Sequence, residues 1–140
     1  MIYQLIYLSH ASKDLNYSDL ENILQVSRKN NEALKLTGIL IYKDDQFIQL
    51  LEGDRENVLS IMDRIEHDQR NQNVKILYQG ESAERFFADW SMAYADGDLA
   101  SNDNPACRRL FQMAQQFRPE MREFIFSAMK EFKEGSPSLR

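Results

Sequence analysis

The chain is poor in the residues that build metal sites, disulfides and membrane spans. Its 140 residues include one cysteine, Cys107, so no internal disulfide can form and no thiolate cluster can hold a metal. Two histidines, His10 and His67, leave no material for a His-rich metal site. Glycine is scarce, and the polar stretch Ser9 to Tyr17 holds none, which excludes a Gly-rich, phosphate-cradling loop there. No apolar run approaches the roughly 20 residues of a bilayer-spanning helix, and no charged-then-apolar leader opens the chain. Charge is mildly acidic, 17 Lys+Arg against 22 Asp+Glu, with no basic run. That argues against nucleic acid or an anionic membrane as a direct partner. The expectation is one cytoplasmic folding unit, burying about two-thirds of its unfolded surface.

What is present is organised around one stretch. Leu36 to Tyr42 and Phe47 to Leu51 read as two strands joined by a polar turn at Lys43-Asp44-Asp45-Gln46. Both runs are apolar at successive positions, so they belong in the centre of a sheet covered on both faces. Gln49 breaks the pattern, sharing a face with Phe47 and Leu51. A buried carboxamide costs free energy unless its donors and acceptors are met. Something polar has to wait for Gln49.

The rest of the chain falls into place around that hairpin. Ile2 to Leu8 is a first strand, with Tyr3, Leu5 and Tyr7 on one face, followed by a loop from His10 to Tyr17. Ser18 and Glu21 have capping-box spacing, and Leu20, Ile23, Leu24 and Ser27 carry a helix to about Asn31. Asp54 can cap a second helix with Val58, Ile61, Met62 and Ile65 on its apolar face, which runs on into Asp68. Asn73 to Gln79 is a fourth strand and Trp90 to Tyr94 a fifth. This order, βαββαββ, describes a ferredoxin-like α+β sandwich with two helices on one sheet face. Asn104-Pro105 opens a further helix and Pro119 divides it from another. This C-terminal pair should cover the second face, with Gly135 to Arg140 as a frayed tail. The expected division is a domain at 1–98 and a helical extension at 99–140.

Polar residues on core-facing positions point to function: Tyr7, Asn30, Asn31, Gln49 and Asp68. With the two helices side by side, Ile23 and Ile65 should face each other across a groove. Tyr7 and Gln49 should rise into its floor and Asn31 should border it. A flat heteroaromatic ligand with a donor–acceptor edge suits such a slot. Taken singly, each residue has a plainer reading. Tyr7 is a core aromatic, Asn31 a helix C-cap, and Trp90 and Met92 are packing residues.

Five elements in register lend the chain a resemblance. Ile6-Tyr7-Leu8-Ser9, Asn31 with Leu36-Thr37-Gly38, Phe47 to Gly53, and Trp90-Ser91-Met92 resemble the BLUF family of blue-light sensors from about residue 2 to residue 95. The resemblance implies non-covalently bound FAD, held by Tyr7, Ile23, Asn30, Asn31, Gln49, Ile65, Asp68 and Arg70. It implies that Tyr7 is the photochemical electron donor and that Gln49 rearranges its hydrogen bonds. Trp90 and Met92, on the fifth strand, would pass the signal on. Asp68 and Arg70 would meet the ribityl–phosphate part, and Asn30 and Asn71 stand where some relatives carry histidine.

By its C-terminal helices the chain is similar to the short members of the family, without a fused enzyme. The partner implied is a downstream protein bound in a light-dependent way, with a homo-oligomer as the assembly. Two other classes compete. An acylphosphatase-like enzyme would need an anion loop after the first strand, which the glycine-free Ser9–Tyr17 segment does not offer. A ligand-binding or oligomerising regulator without photochemistry would not need Tyr7 and Gln49 together.

Overall fold

The computed structural model describes residues 1–42 and 45–88, the backbone of 43 and of 93–96, and six positions from 108 to 123. The elements are β1 (Ile2–Ala11), α1 (Tyr17–Leu34), β2 (Thr37–Lys43), β3 (Gln46–Gly53), α2 (Arg55–His67), β4 (Asn71–Ser82) and β5 (Ala93–Asp96). The sheet order is β4-β1-β3-β2-β5. The first four strands pair antiparallel, and β5 runs parallel to β2. This is the ferredoxin-like arrangement, extended by one strand at the β2 edge.

The central strands are buried on both faces. Leu5, Leu40, Phe47 and Leu51 join the core beneath the helices, with Leu20 and Leu24 from α1 and Val58, Ile61 and Met62 from α2. On the alternate positions Ile6, Ile39, Ile41, Ile48 and Leu50 are buried as well. The unbroken apolar runs of β2 and β3 therefore mean what they mean in any doubly covered strand. The C-terminal helical pair, the tail, and the segment Trp90 to Met92 lie outside the described residues.

Local details differ from the sequence reading. The α1 capping box is made by Asn16 and Asp19, not Ser18 and Glu21. The Asn16 side chain accepts from the Asp19 N–H at 2.8 Å, and the Asp19 carboxylate accepts from the Asn16 N–H at 3.1 Å. Asn caps as well as Ser, and a cap two residues earlier lets α1 begin at Tyr17. The helix also outlasts Asn31 and ends at Leu34, where Lys35 turns left-handed (φ 56°, ψ 38°). The Asn31 carbonyl then accepts from the Leu36 N–H at 2.8 Å, as helix ends require.

β1 extends through His10 and Ala11, where the sequence predicts a loop, because His10 pairs with Gln46 and Gln72 and Ala11 with Asn71, and Ala11 N–H reaches the Asp45 carbonyl at 2.8 Å. β4 likewise begins at Asn71 and continues to Ser82, paired along β1. Asp54 caps α2 as its position predicts, accepting from the Glu56 N–H at 3.0 Å.

Two features hold the β2–β3 end of the sheet. A Cβ on Gly38 would run into the Leu50 carbonyl across the ladder, so only glycine allows this approach. Glu52 is fully buried, and both carboxylate oxygens are satisfied. Oε1 accepts from Gln4 Nε2 at 3.1 Å and the Phe86 N–H at 2.8 Å. Oε2 accepts from Thr37 Oγ1 at 2.9 Å and the Phe87 N–H at 2.6 Å. Glu52 thereby ties the segment after β4 to the sheet.

Candidate functional site

A cleft, partly open to solvent, lies between α1 and α2 over the central strands. Its floor comes from Tyr7 on β1, Leu40 on β2, and Phe47 and Gln49 on β3. Helix α1 supplies Ile23, Val26, Ser27, Asn30 and Asn31, and α2 supplies Ile61, Arg64, Ile65 and Asp68. Arg70 and Asn71 complete the lining. Both helix sets recur at three- and four-residue spacing, so each helix presents one continuous face to the slot.

Tyr7 and Gln49 are cross-strand partners in the β1–β3 ladder, which puts their side chains on the same face. The Tyr7 hydroxyl donates to Gln49 Oε1, and both side chains are buried, at 2% and 3% exposure. Burial, reinforced by the negative charge of Asp68, pushes the Tyr7 phenol far above its ordinary value of 10.0. Tyr7 therefore keeps its proton and serves as donor, with Gln49 Oε1 as acceptor and Nε2 as the donor end of the amide. Asn31 is buried at 1% exposure and stands at the far end of the α1 face.

The polar side of the cavity is an ion pair. Arg70 donates from Nη2 to Asp68 Oδ2 at 2.8 Å and from Nε to Oδ1 at 3.0 Å. These hydrogen bonds hold the Asp68 carboxyl below its ordinary value and raise that of Arg70. Arg70 Nη1 reaches Asn22 Oδ1 at 3.0 Å, bridging to α1. Ser9 Oγ donates to Asn71 Oδ1 at 2.9 Å.

Tyr7, Ile23, Asn30, Asn31, Gln49, Ile65, Asp68 and Arg70, the residues named from sequence, all line this one cavity. Trp90 and Met92 lie outside the described residues. The sequence reading passed over Val26, Leu40 and Arg64 as lining residues. Arg64 was discoverable, because it sits three residues after Ile61 and four before Asp68 on the same helical face.

A flat cofactor suits this lining. Isoleucines on opposite helices leave apolar walls, while Asn31 and Gln49 bring carboxamides that both donate and accept. That donor set matches the heteroaromatic edge of a flavin. The fold and cavity thus define a small ferredoxin-like sensor domain with a buried tyrosine–glutamine pair in its ligand slot. Residues 2–93 match the family model described as BLUF, sensors of blue-light using FAD. The chain belongs to the BLUF family and is a blue-light-sensing flavoprotein domain.

Among curated relatives, photoactivated adenylate cyclase subunit beta of Euglena longa is 28% identical over 114 residues, covering 81% of this chain. The chain spans only 13% of that protein. The blue light- and temperature-regulated antirepressor BluF of Escherichia coli K12 is 32% identical over 104 residues, 74% of this chain and 26% of its own length. The dark-state structure of the BLUF protein BlrB superposes with a TM-score of 0.71 at 27% identity, covering 91% of this chain and 96% of that one.

Proposed function

We propose that the cavity between α1 and α2 holds FAD without a covalent bond, and that Tyr7 and Gln49 are the switch of the sensor. The observation that carries this reading is the buried hydrogen bond from the Tyr7 hydroxyl to Gln49 Oε1 at the cavity floor. Ile23 and Ile65 would flank the ring system, and Asn31 and Gln49 would meet its polar edge. Asn30, Asp68 and Arg70 would stand toward the ribityl chain. When bound, a flavin supplies blue-light absorption and an oxidising excited state.

The protein's own groups supply the rest. Tyr7 is the phenol of the cavity lining and holds its proton at rest. A phenol that gives up an electron becomes strongly acidic, and Gln49 Oε1 already accepts its hydrogen bond. In a dry site such a bond is electrostatically strong and passes a change along the chain of partners. The two ends of a carboxamide are nearly the same size. Rotation or tautomerisation of Gln49 therefore exchanges donor for acceptor without repacking β3. That makes a local two-state element from which a signal can start.

The proposed output is a protein contact rather than catalysis. Trp90 and Met92, which precede β5 in the chain, and the extension at 99–140 would carry the change to a partner bound in a light-dependent way. A homo-oligomer working in the cytoplasm is the proposed setting. Among the described residues no helix is long and apolar enough to cross a membrane.

A dark spectrum of the purified protein, followed by blue illumination, tests the reading. Flavin bands and a reversible red shift are expected. A folded, colourless protein that stays empty when FAD is added would overturn it.

A further inference from the structure

Three phenols stand on the helix-facing side of the sheet, and they differ in what receives their hydroxyl proton. Tyr3 and Tyr7 belong to the core beneath the helices, and Tyr42 packs against it. Tyr7 donates to the carboxamide of Gln49, and Tyr3 to that of Gln79 at 2.6 Å. Tyr42 donates to a carboxylate, Asp45 Oδ1, at 3.0 Å. The turn between β2 and β3 fixes this acceptor. Asp45 is left-handed there (φ 63°), and its carbonyl accepts from the Ala11 N–H at 2.8 Å. A carboxylate holds a transferred proton far better than a neutral carboxamide does.

Tyr42 is also connected to the cleft. It faces Phe47 across the β2–β3 ladder, and cross-strand neighbours share a face. The two rings meet at 5.0 Å between centroids, tilted by 46°. Phe47 is buried and lines the cleft floor with Gln49. The ring of Phe47 therefore joins Tyr42 to the slot by a route that leaves Gln49 aside.

We infer that Tyr42 is a second light-driven electron donor of this domain, with Asp45 as its proton acceptor. The oxidant is the photoexcited flavin, so the assignment rests on the flavin reading of the cleft. Tyr42 gives up one electron by way of the Phe47 ring. Its O–H bond breaks, the proton forms a new O–H bond on Asp45 Oδ1, and a neutral tyrosyl remains. Return of the electron to Tyr42 and of the proton from Asp45 restores the resting state. A positioned base is what makes loss of the phenol proton easy. Because Gln49 takes no part, this route produces no hydrogen-bond rearrangement at the amide. It competes with Tyr7 and lowers the fraction of absorbed light that throws the switch.

The test compares FAD-loaded wild type, Tyr42→Phe, Asp45→Asn, Tyr7→Phe and the Tyr7→Phe/Tyr42→Phe double variant under blue light, without oxygen or added reductant. Phenylalanine keeps the ring against Phe47, and asparagine tolerates the left-handed turn. Tyr42→Phe and Asp45→Asn should raise the yield of red-shifted product. Tyr7→Phe should lose oxidised-flavin absorbance instead of shifting, and the double variant should do neither. A second readout needs no flavin. Apo protein is oxidised by a photogenerated ruthenium(III) complex in the presence of a spin trap, and the labelled peptides are read by mass spectrometry. Label on Tyr42, relative to the exposed Tyr17, should fall in Asp45→Asn. Equal labelling, an unchanged product yield in Tyr42→Phe, or no bleaching in Tyr7→Phe overturns the assignment and leaves the flavin reading intact. So does bleaching that persists in the double variant. Wild type that binds no flavin overturns both together.

Discussion

Tyr7 and Gln49 face each other across the β1–β3 ladder, and the phenol donates its proton to the amide oxygen at the floor of the cavity. Their pairing follows from strand register, because cross-strand neighbours in an antiparallel pair put their side chains on one face. A one-residue slip would send both to the opposite face of the sheet.

The hydroxyl of Tyr7 is the part that matters for switching. Tyr7→Phe should keep the cavity and bound flavin, yet lose the light-induced red shift. It should also cost about 1–3 kcal/mol of stability, since Gln49 Oε1 loses its buried donor. Difference spectroscopy and urea unfolding read the two effects separately. An unchanged photocycle would remove Tyr7 from the mechanism.

Glu52 is a clamp rather than a switch. Glu52→Gln replaces one acceptor oxygen by an NH₂ that faces donors, two of which meet each oxygen of the native carboxylate. The expected cost is about 3 kcal/mol in chemical unfolding, the desolvation penalty of buried donors left unmet. Proteolysis should also become faster in the segment after β4. Unaltered stability would mean that Phe86 and Phe87 are held by something else.

Gly38 sets how closely β2 and β3 can approach. Gly38→Ala places a methyl group against the Leu50 carbonyl, and the strands have to part. A destabilisation of about 1–3 kcal/mol follows from the overpacking, with weaker flavin binding because Leu40 and Gln49 share these strands. A thermal melt of apo and flavin-loaded protein checks both.

Acid should weaken the Asp68–Arg70 pair in a definite direction. Arg70 holds the Asp68 carboxyl below its ordinary value of 3.8, so the unfolded chain takes up this proton first. The pair's contribution is whole above that ordinary value and disappears as pH falls through the depressed one. The pair is part-exposed, so the contribution should be under about 1 kcal/mol. Comparing Asp68→Asn with wild type at pH 7 and pH 3 should show a gap at the higher pH that narrows at the lower.

Much of the site was legible because helical spacing and strand alternation fix which residues share a face. Ile23, Asn30 and Asn31 follow from one helix period, Ile65 and Asp68 from another, and Gln49 from a polar break in a doubly apolar strand. The cap of α1 was misplaced because Asn16 and Ser18 both open a workable box, and only backbone geometry chooses between them. His10 and Ala11 read as loop, yet the Asp45 carbonyl on the hairpin extends the strand through them. Propensity cannot see a partner 34 residues away in the chain.

Amino-acid order by itself determined the element sequence, the doubly buried hairpin and the set of polar residues turned toward the core. Periodicity is a local property, written every two or every three to four residues. Tertiary structure alone decided how charges are shared at the cavity rim. Asp68, Arg64 and Arg70 are close in sequence and could pair in more than one way. Only the fold of the turn between α2 and β4, which brings Arg70 within reach of Asn22 on α1, gives Asp68 and Asn22 to Arg70 and leaves Arg64 open to the slot. Pairing between flexible charged side chains is set by distances in space, and no spacing along the chain encodes them.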